Sequence, residues 1–408
     1  MNAAQSLDWL YASQLHGIRL GLDTIHRLLS GLGVDLHSPA APRFLHVAGT
    51  NGKGSVCALL AAALRNSGLR TGLYTSPHLV TFRERIQING ELLPEHGLAK
   101  GLTKIRDLTD SWDSAPTFFE IVTALALAHF QENDVHVAVL ETGLGGRLDA
   151  TNVVTPAVSV ITPIDLDHQA WLGDSLTSIA SEKAGIFKPG IPAISAPQPE
   201  EAAQALRLAA LQRGAPIEFI THPYSGPVGL QGSHQPWNAA LAARALALSQ
   251  FPTSPSAIAE GFRTVQWPGR FHAVTPHLIL DGAHNPAAAH RLALTWRETF
   301  GDTGATLILA MMRDKDAAGF CRAIAPIATR ILTIGVQNER SLSAEAMATL
   351  WRENIPHIPA TPMDSLSAAL QRSTSHPERA LVTGSLFLVG ESLVETGIHA
   401  ASGEHGSQ

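Results

Sequence analysis

The segment Gly49-Thr-Asn-Gly-Lys-Gly-Ser55 has the composition of a loop that binds phosphate groups. It follows an apolar, strand-like run at 43–48 and precedes an apolar helical run at 56–64. Glycines allow backbone N–H groups to close around phosphate oxygens, Lys53 supplies a positive charge for the terminal phosphates, and Ser55 offers a hydroxyl to Mg²⁺. The order strand, glycine-rich loop, helix therefore predicts a site for a nucleoside triphosphate.

Two glycine-rich segments also have alternative interpretations. The spacing of the first differs from the pattern G-x-x-x-x-G-K-[ST], because Val47 stands in place of the first glycine and Gly54 follows the lysine. An ordinary turn with an incidental lysine is the alternative, which the flanking strand and helix disfavour. The second segment, Gly143-Leu-Gly-Gly146, could belong to a dinucleotide-binding fold, but Leu148 occupies the position of the last required glycine.

Acidic side chains follow two other predicted strands. Glu141 comes directly after the strand 135–140, and Asp165-Leu-Asp-His168 follows the strand 157–161. The carboxyl ends of parallel strands form the usual ligand-binding edge of an α/β sheet, so Glu141 is a candidate Mg²⁺ ligand beside the phosphate loop. His168 is an unusual ligand for a hard cation, and a metal-binding role and a structural role both stay open for it.

Ser76 and Lys183 each have a functional and an ordinary interpretation. Ser76 closes the predicted strand 69–75, where it either adds a hydroxyl to the metal site or belongs to a common turn. Lys183 lies in a predicted helix at 179–188, where it could equally be a surface lysine beside Glu182. Spacing alone does not decide between these roles.

The C-terminal part contributes the motif Asp281-Gly-Ala-His-Asn-Pro286 at a predicted strand-to-helix junction. This motif would lie at the ligand-binding edge of a second sheet. Asn285 or His284 could instead simply cap the following helix. Arg270, in the connection Pro268-Gly-Arg270, is well placed to reach a phosphate or ribose bound between two domains.

The predicted elements that carry these residues alternate between short strands and longer helices. After a helical entry at about 6–32, one such series fills the N-terminal part of the chain and a second begins near residue 276. The pattern predicts an α/β fold with a P-loop ATPase domain, built on a mostly parallel sheet, at 1–270 and a smaller Rossmann-like α/β domain at 276–400. The small and polar residues 401–408 are expected to form a flexible tail.

Length and composition exclude several classes of protein. The chain has 408 residues, of which 45% are hydrophobic and 16% are charged, enough apolar content for two buried cores. The net charge of -6 argues against a nucleic-acid partner, and no apolar run is long enough to span a membrane. This charge favours a protein that acts on small molecules. Because Cys57 and Cys321 do not form a paired motif, a cytoplasmic location is expected.

In this order, the motifs resemble the folylpolyglutamate synthase family of the Mur ligase superfamily, and in particular its bacterial branch that also has dihydrofolate synthase activity. The resemblance extends from Leu10 to about Gly390 and implies a Mur ligase-like fold. The matching motifs lie at 46–55, 76–79, 117–120, 141–152, 167–168, 182–185, 268–270, 281–286 and 383–387.

The resemblance implies roles for individual positions. The residues implied to bind ATP are Asn51, Gly52, Lys53, Gly54, Ser55, Asn238, Arg270 and Asp281. The residues implied to ligate Mg²⁺ are Ser76, Glu141 and His168, and those implied in catalysis are Lys53, Lys183 and His284. The residues implied to line a pterin site are Thr117, Phe118, Phe119, Glu120, Leu148, Asp149 and Ala150.

The implied activity is an ATP-dependent ligation of L-glutamate to dihydropteroate, and to folates and polyglutamyl folates, through an acyl phosphate. The implied cofactors are Mg²⁺ at a pair of sites, K⁺, and a carbamate on Lys183, which would turn a cation into an anion able to lie near Mg²⁺. The family resemblance also implies a monomer.

Three other activities share part of this pattern. A monofunctional folylpolyglutamate synthase has most of the same ATP motifs. A Mur-type ligase that acts on a UDP-sugar peptide usually has a UDP-binding domain before the phosphate loop, whereas only 48 residues precede Gly49 here. A nucleotide-dependent switch would hydrolyse ATP slowly without any acceptor, whereas a ligase should release ADP only when acceptor and glutamate are both supplied.

Overall fold

The computed structural model describes residues 1–17, 19–375 and 378–399 of the chain. The tail predicted at 401–408 lies outside the described residues. Within the described residues, the strands form one 8-stranded and one 6-stranded sheet, and both are mostly parallel. The predicted α/β class with two such sheets is confirmed. No helix in the described part of the chain is both long and apolar enough to cross a membrane.

The first sheet has the strand order β4-β3-β2-β5-β1-β6-β7-β8. Its strands are β1 (Arg43–Ala48), β2 (Thr71–Tyr74), β3 (Ile86–Ile88), β4 (Glu91–Leu92), β5 (Val137–Glu141), β6 (Val158–Ile161), β7 (Ala193–Ser195) and β8 (Ile217–Phe219). All pairings are parallel except those of β3 with β2 and β4. Since β1 lies between β5 and β6, the carboxyl ends of these strands meet around the phosphate loop.

Helices cover both faces of this sheet. They are α1 (Ala3–Ala12), α2 (Asp23–Leu32), α3 (Lys53–Asn66), α4 (Glu95–Thr109), α5 (Phe118–Glu132), α6 (Gln169–Leu172), α7 (Leu176–Lys183), α8 (Glu200–Arg213), α9 (Gln235–Ser249) and α10 (Pro255–Thr264). Val137 and Val139 of β5 share a core with α3, α9 and α10, whereas Ala138 and Leu140 share a core with α1, α2, α4 and α5. Successive residues of a strand point to opposite faces, so a strand covered on both sides is apolar throughout.

The helix behind the phosphate loop is enclosed on every side. All residues of α3 from Gly54 to Leu64 are buried, because α3 packs between the first sheet and the helices α9 and α10. Burial of this apolar surface is the main force that holds α3 in place. The loop that leads into α3 is therefore anchored at both ends by core elements.

The second sheet has the strand order β13-β12-β11-β14-β10-β9, in which only β9 pairs in an antiparallel manner. Its strands are β9 (His272–Thr275), β10 (Leu278–Leu280), β11 (Ala305–Leu309), β12 (Ala328–Thr333), β13 (Ala360–Pro362) and β14 (Arg379–Thr383). Its helices are α11 (Pro286–Phe300), α12 (Ala317–Ile324), α13 (Ala344–Asn354), α14 (Leu366–Thr374) and α15 (Leu386–Glu395). The first three helices pack on one face of this sheet and the last two on the other.

The connection between the two sheets contains residues with positive φ angles. Gly269 has a φ of 73° and Phe271 a φ of 44°, a conformation that is uncommon for a residue with a side chain. The Gly269 carbonyl accepts a hydrogen bond from Gly282 N at 2.9 Å, and Asp281 Oδ2 accepts one from Phe271 N at 2.8 Å. The start of the second sheet thus holds the connecting segment in a defined shape.

The helical entry predicted at about 6–32 is built from more than one helix. The structure has α1, a short 3-10 helix at Ser13–His16 and then α2, with a break before α2. Gly17 and Gly21 adopt φ angles of 65° and 157° in this break. Glycine enters such conformations readily, so the two glycines interrupt the helical pattern of the apolar residues.

Candidate active site

The phosphate loop (residues 49–55) depends on glycine at two positions. A Cβ atom on Gly49 would lie 1.8 Å from Thr162 Oγ1, so no side chain fits there. Gly52 has a φ of 86° and stands at the N-cap of α3, where no side chain caps the helix. The first N–H groups of α3 lack intrahelical partners and carry a partial positive charge. This arrangement is suited to phosphate oxygens.

Two lysines meet at the same carbonyl group of the phosphate loop. Lys53 Nζ donates to Gly49 O at 3.2 Å and to Thr50 O at 3.3 Å, and Lys183 Nζ donates to Gly49 O at 2.8 Å. Lys183 is 4% exposed, which excludes its interpretation as a surface residue. Burial, followed by the charge of Lys53, lowers the pKa of Lys183 to about 7. An anion bound between the two ammonium groups would relieve their repulsion.

Glu141 is a buried carboxylate with few partners. It ends β5 and is 4% exposed, and among the described residues its one hydrogen bond comes from Ser76 N at 3.4 Å. Burial raises the pKa of Glu141 to about 7, against the lowering effect of Lys53. A carboxylate can accept about four hydrogen bonds, so most of the acceptor capacity of Glu141 is unused. We refer to Lys53, Glu141 and Lys183 as the phosphate edge.

The residues predicted to hold Mg²⁺ supply only part of the ligands of the ion, as expected when a bound nucleotide supplies others. In the part of the chain that the structure describes, no three His, Cys, Asp or Glu side chains form a group that could hold a metal ion. The predicted set of Ser76, Glu141 and His168 includes only two such residues. Mg²⁺ is commonly held by one or two protein carboxylates, with phosphates and water as its other ligands.

The surroundings of His168 favour its neutral form, which is the form that binds metals. Burial, followed by the charge of Lys315, lowers its pKa to about 4. Its side chain is 45% exposed, and its φ of 52° places it in the left-handed region just before α6. The metal-binding interpretation of His168 is thus compatible with the structure, although its predicted ligand role stays a prediction.

The carboxyl edge of the second sheet contacts the phosphate loop. Asn285 Nδ2 donates to Asn51 Oδ1 at 3.3 Å and to Asp167 Oδ2 at 3.2 Å. Lys315 Nζ forms an ion pair with Asp167 Oδ1 at 2.8 Å. Asn285 is also the N-cap of α11 and accepts from Ala288 N at 2.8 Å, so its predicted capping role is confirmed. The two predicted ligand-binding edges therefore meet.

His284 lies in the same loop of the second domain as Asn285. Its Nδ1 atom is 2.8 Å from Gly282 O, a carbonyl that can only accept, so Nδ1 carries the proton and Nε2 is an acceptor. Burial, followed by the charge of Lys315, lowers the pKa of His284 to about 4. The ring is therefore a neutral base with one fixed tautomer.

Asp281 and Arg270 lie where the connecting segment meets the second sheet. The Asp281 carboxylate accepts from Phe271 N at 2.8 Å and from Ala283 N at 2.9 Å, and burial raises its pKa. A Cβ atom on Gly282 would lie 2.8 Å from Arg270 Nη1, which places the guanidinium group over this loop. Asp281 thus has a structural function in addition to its predicted nucleotide-binding role.

Asn238 and Trp267 flank the phosphate loop from the side of the helices. Asn238 Oδ1 would be 3.1 Å from a Cβ atom on Gly52, and Trp267 Nε1 would be 2.9 Å from one on Gly54. The family resemblance predicted a position for Asn238 at the nucleotide site, whereas sequence reasoning did not identify Trp267. The position of Trp267 just before the Pro-Gly-Arg connection is the only sequence signal for it.

The first predicted pterin segment, residues 117–120, forms the start of α5. Thr117 is the N-cap, and the Glu120 carboxylate accepts from both Thr117 N and Thr117 Oγ1 at 2.8 Å. This reciprocal pair is a capping box. One carboxylate oxygen of Glu120, Oε2, is therefore bound by Thr117, the N-cap of its own helix.

The second predicted pterin segment, residues 148–150, is organised by Asp149. The Asp149 carboxylate accepts from Gly143 N and Leu144 N at 2.9 Å and from Thr151 N at 3.0 Å. Burial raises the pKa of Asp149, although these hydrogen bonds oppose the shift. Leu148 is half-buried and Ala150 is buried in the core. We refer to 117–120 and 148–150 together as the pterin wall.

Two aromatic rings belong to the pterin wall. The Phe118 ring stacks on Tyr11 with a centroid distance of 6.1 Å, and the Phe119 ring lies 6.0 Å from that of Tyr74. A Cβ atom on Gly143 would lie 2.6 Å from Phe119 Cζ, so the glycine-rich segment after β5 packs against this ring. Glycine at 143 is explained by this contact rather than by a dinucleotide.

Arg85 is a buried cation that sequence reasoning missed. It is 4% exposed, its Nε donates to His78 Nδ1 at 2.8 Å, and its Cζ lies 5.3 Å from the Phe118 ring centroid. No carboxylate of the described residues lies within ion-pair distance of it. Burial lowers the pKa of Arg85. A buried guanidinium without a counter-ion, beside a predicted substrate residue, is suited to bind a carboxylate.

Comparison with known proteins decides the family. The Mur ligase middle domain model matches residues 47–194, and the model of the Mur ligase glutamate ligase domain matches residues 269–386. The dihydrofolate synthase/folylpolyglutamate synthase of Bacillus subtilis is 32% identical over 418 residues, covering 94% of this chain and 96% of that protein. The chain belongs to the folylpolyglutamate synthase family. As a member of this family within the Mur ligase superfamily, it is an ATP-dependent ligase.

Solved structures of the folylpolyglutamate synthase family have the same fold. Escherichia coli FolC in complex with DHPP and ADP has a TM-score of 0.88 and 32% identity, with 98% of both chains covered. The bifunctional folylpolyglutamate synthase/dihydrofolate synthase of Yersinia pestis, complexed with AMPPNP and Mn ion, has a TM-score of 0.86 and 32% identity, with 97% of this chain and 98% of that chain covered. The predicted Mur ligase-like fold is confirmed.

Proposed function

We propose that this chain joins L-glutamate to dihydropteroate, which forms dihydrofolate, and adds further L-glutamate to folates, with ATP converted to ADP and phosphate. The observation that carries the proposal is the contact between Asn285 and Asn51, which brings a loop of the glutamate ligase domain onto the phosphate loop. The bifunctional Bacillus subtilis relative, which matches this chain over nearly its whole length, supports both acceptors rather than folates alone.

The reaction has to convert a carboxylate, a poor acyl donor, into a reactive mixed anhydride. An oxygen of the acceptor carboxylate attacks the γ-phosphorus of ATP, which gives an acyl phosphate and ADP. The amine of glutamate then attacks the acyl carbon, phosphate leaves, and the nitrogen loses a proton as the amide forms. Positive charge that is already in place at the phosphates is the main catalytic contribution in such phosphoryl transfers.

Lys53 and the N-terminus of α3 are the groups of this chain that would neutralise the phosphates. Asn51, Gly52, Gly54 and Ser55 would complete the cradle, with Asn238, Arg270 and Asp281 around the rest of the nucleotide. Ser76, Glu141 and His168 would hold Mg²⁺, which would supply further charge neutralisation at the phosphates. Relatives solved with ADP and with AMPPNP and Mn ion support a nucleotide and a divalent ion here.

Arg85 would hold the carboxylate that is to be activated. Its guanidinium group is 5.3 Å from the Phe118 ring of the predicted acceptor site, and the charge of Glu141 in the phosphate edge is one of those that oppose the lowering of its pKa. The aromatic rings of Phe118 and Phe119 would contact the pterin. Thr117, Glu120, Leu148, Asp149 and Ala150 would give this wall its shape.

Lys183 is suited to become a carbamate. With a pKa of about 7, its amine is largely neutral at mildly alkaline pH and can attack the carbon of CO₂, which forms an N–C bond and releases a proton. The product is an anion beside Lys53, where it would replace the repulsion of two cations by an attraction. K⁺ and a second Mg²⁺ site stay predictions from the family resemblance.

His284 would act on the incoming glutamate. Its Nε2 atom is an acceptor with the ring fixed by Gly282 O, so it can hold a proton of the glutamate amine during attack.

Because His284 and the phosphate loop belong to different domains, contact between the domains would complete the site and exclude water from the acyl phosphate. We further propose domain limits of 1–270 and 276–400, a monomer, and a cytoplasmic location.

The test is ADP release by the purified chain with Mg²⁺, ATP and L-glutamate, with dihydropteroate or a reduced folate as acceptor. Release with both acceptors, and none without glutamate, is the expected result. Release with the folate alone would reduce the enzyme to a monofunctional folylpolyglutamate synthase. Release with neither acceptor would contradict the folate substrates, and acceptor-independent release would point to a nucleotide-dependent switch.

A further inference from the structure

Both carboxylate oxygens of Asp167 are bound by the second domain. Lys315 Nζ lies 2.8 Å from Asp167 Oδ1, and Asn285 Nδ2 lies 3.2 Å from Asp167 Oδ2. Lys315 belongs to the loop between β11 and α12, whereas Asn285 precedes α11. Two separate loops of the second domain therefore converge on one side chain of the first.

This ion pair is shielded from water. The side chains of Lys315 and Asp167 are 12% and 10% exposed, whereas those of the pair Lys100–Glu132 are 69% and 43% exposed. An exposed pair contributes little to stability, but removal of one partner of a shielded pair leaves a charge without compensation. The contact between the domains at Asp167 is thus sensitive to a single substitution.

The same carboxylate fixes the backbone of the neighbouring His168. Asp167 Oδ1 accepts a hydrogen bond from His168 N at 2.8 Å. His168 has a φ of 52°, which few residues with a side chain adopt without support from their surroundings. The orientation of the His168 imidazole therefore depends on a carboxylate that the second domain holds.

We propose that Asp167 is a positioning residue that couples docking of the second domain to the placement of His168. The inference rests on the proposed function, because it takes His168 as a ligand of the divalent ion that accompanies the nucleotide. The first domain contains the loop with His168, while the groups that hold this loop come from Lys315 and Asn285. The metal site is thus complete only when the two domains are in contact.

The inference is tested by binding of Mn²⁺ to the full chain in the presence of ADP, measured from the electron paramagnetic resonance signal of free Mn²⁺. Lys315→Met keeps the length of the side chain but removes its charge, and we expect it to weaken Mn²⁺ binding about 10- to 100-fold. Lys315→Arg is expected to restore most of the affinity. The affinity for ADP without metal is expected to be unchanged in Lys315→Met, because Lys315 acts through Asp167.

A second variant and a control keep the test specific. Asn285→Ser retains a side chain that can cap α11 but removes the amide that binds Asp167, so it should weaken Mn²⁺ binding as well. Lys100→Met removes the lysine of the exposed pair Lys100–Glu132 and should leave Mn²⁺ binding unchanged. Folding of each variant is checked by its thermal unfolding.

Three results would overturn the inference. Unchanged Mn²⁺ affinity in both Lys315→Met and Asn285→Ser would show that His168 is placed without the second domain. An equal loss of metal-free ADP affinity in Lys315→Met would show that Lys315 acts on the nucleotide itself. A wild-type chain that binds no Mn²⁺ with ADP would contradict the metal site of the proposed function as well, whereas the first two results leave that function intact.

Discussion

The phosphate edge and the pterin wall use buried charged side chains in opposite ways. Lys53 and Lys183 share one carbonyl oxygen, and Glu141 receives a single hydrogen bond of 3.4 Å from the described residues. In the pterin wall, Glu120 Oε2 instead accepts from the backbone N–H and the hydroxyl of Thr117, and the Asp149 carboxylate accepts from three nearby backbone N–H groups. Among the described residues, the first set has charged side chains without an ion-pair partner, whereas the second set has carboxylates that are bound by residues close to them in the chain.

This difference separates binding groups from supporting groups. A buried charge without a partner destabilises the folded chain, and its pKa shifts towards the neutral form, as for Glu141 and Lys183. Such a cost is expected where a ligand supplies the missing partner. A charge with satisfied hydrogen bonds stabilises the loop or helix that contains it. Substitutions in the phosphate edge should therefore mainly lower activity, whereas substitutions of the carboxylates in the pterin wall should mainly lower stability.

The largest expected effect is that of Lys53→Met on catalysis. Removal of this charge should lower the rate of acceptor-dependent ADP release roughly 10³-fold or more, because charge neutralisation at the phosphates is lost. The stability of the variant should stay close to that of the wild type, since removal of Lys53 relieves its repulsion with Lys183 but also removes its attraction to Glu141. Initial rates of ADP release and urea unfolding curves measure the two quantities. A wild-type rate would contradict the role of Lys53 at the phosphate edge.

Glu141→Gln should make the metal-free chain more stable at high pH. The folded pKa of Glu141 is about 7 and its ordinary value is 4.5, so the folded chain holds one more proton than the unfolded chain between these pH values. The free energy of unfolding of the wild type therefore falls as pH rises from 4.5 to 7, by about 3 kcal/mol. The variant lacks this loss and should exceed the wild type by about that amount at pH 8.

Urea unfolding in the presence of a chelator, at pH 5 and pH 8, measures this difference. The exposed carboxylate of Glu132 provides the control, because Glu132→Gln should change the free energy of unfolding by less than about 1 kcal/mol. A Glu141→Gln variant that is equally or less stable than the wild type at pH 8 would contradict an unpartnered carboxylate at this position.

The smallest expected effect concerns Glu120 in the pterin wall. Glu120→Ala should lower the free energy of unfolding by about 1 kcal/mol because the capping box is lost, whereas Glu120→Gln retains it. Both variants should keep a KM for dihydropteroate close to that of the wild type. Chemical unfolding and initial rates measure these effects. A large rise in KM for Glu120→Gln, with stability unchanged, would show that this carboxylate contacts the substrate instead.

Local sequence patterns predicted those strands, loops and helix caps whose conformation depends on neighbouring residues in the chain. The strand at 43–48 and the glycine-rich loop have their predicted form, because apolar residues and glycines act through neighbours in the chain. The pattern Thr117-x-x-Glu120 is likewise typical of a capping box. Arg85 and Lys315 gave no such signal. Their partners His78 and Asp167 are brought close by the fold, the latter from 148 residues away, and a segment pattern contains no information on such contacts.

The central claim is that the charged side chains of the phosphate edge serve to activate a carboxylate with ATP. Transfer of ¹⁸O from a dihydropteroate labelled in its carboxylate to inorganic phosphate tests it most directly, with mass spectrometry of the phosphate released in the presence of ATP, Mg²⁺ and L-glutamate. An acyl phosphate leaves one carboxylate oxygen on phosphorus, so we predict phosphate that carries one ¹⁸O for each amide formed. Amide formation with unlabelled phosphate would contradict the claim.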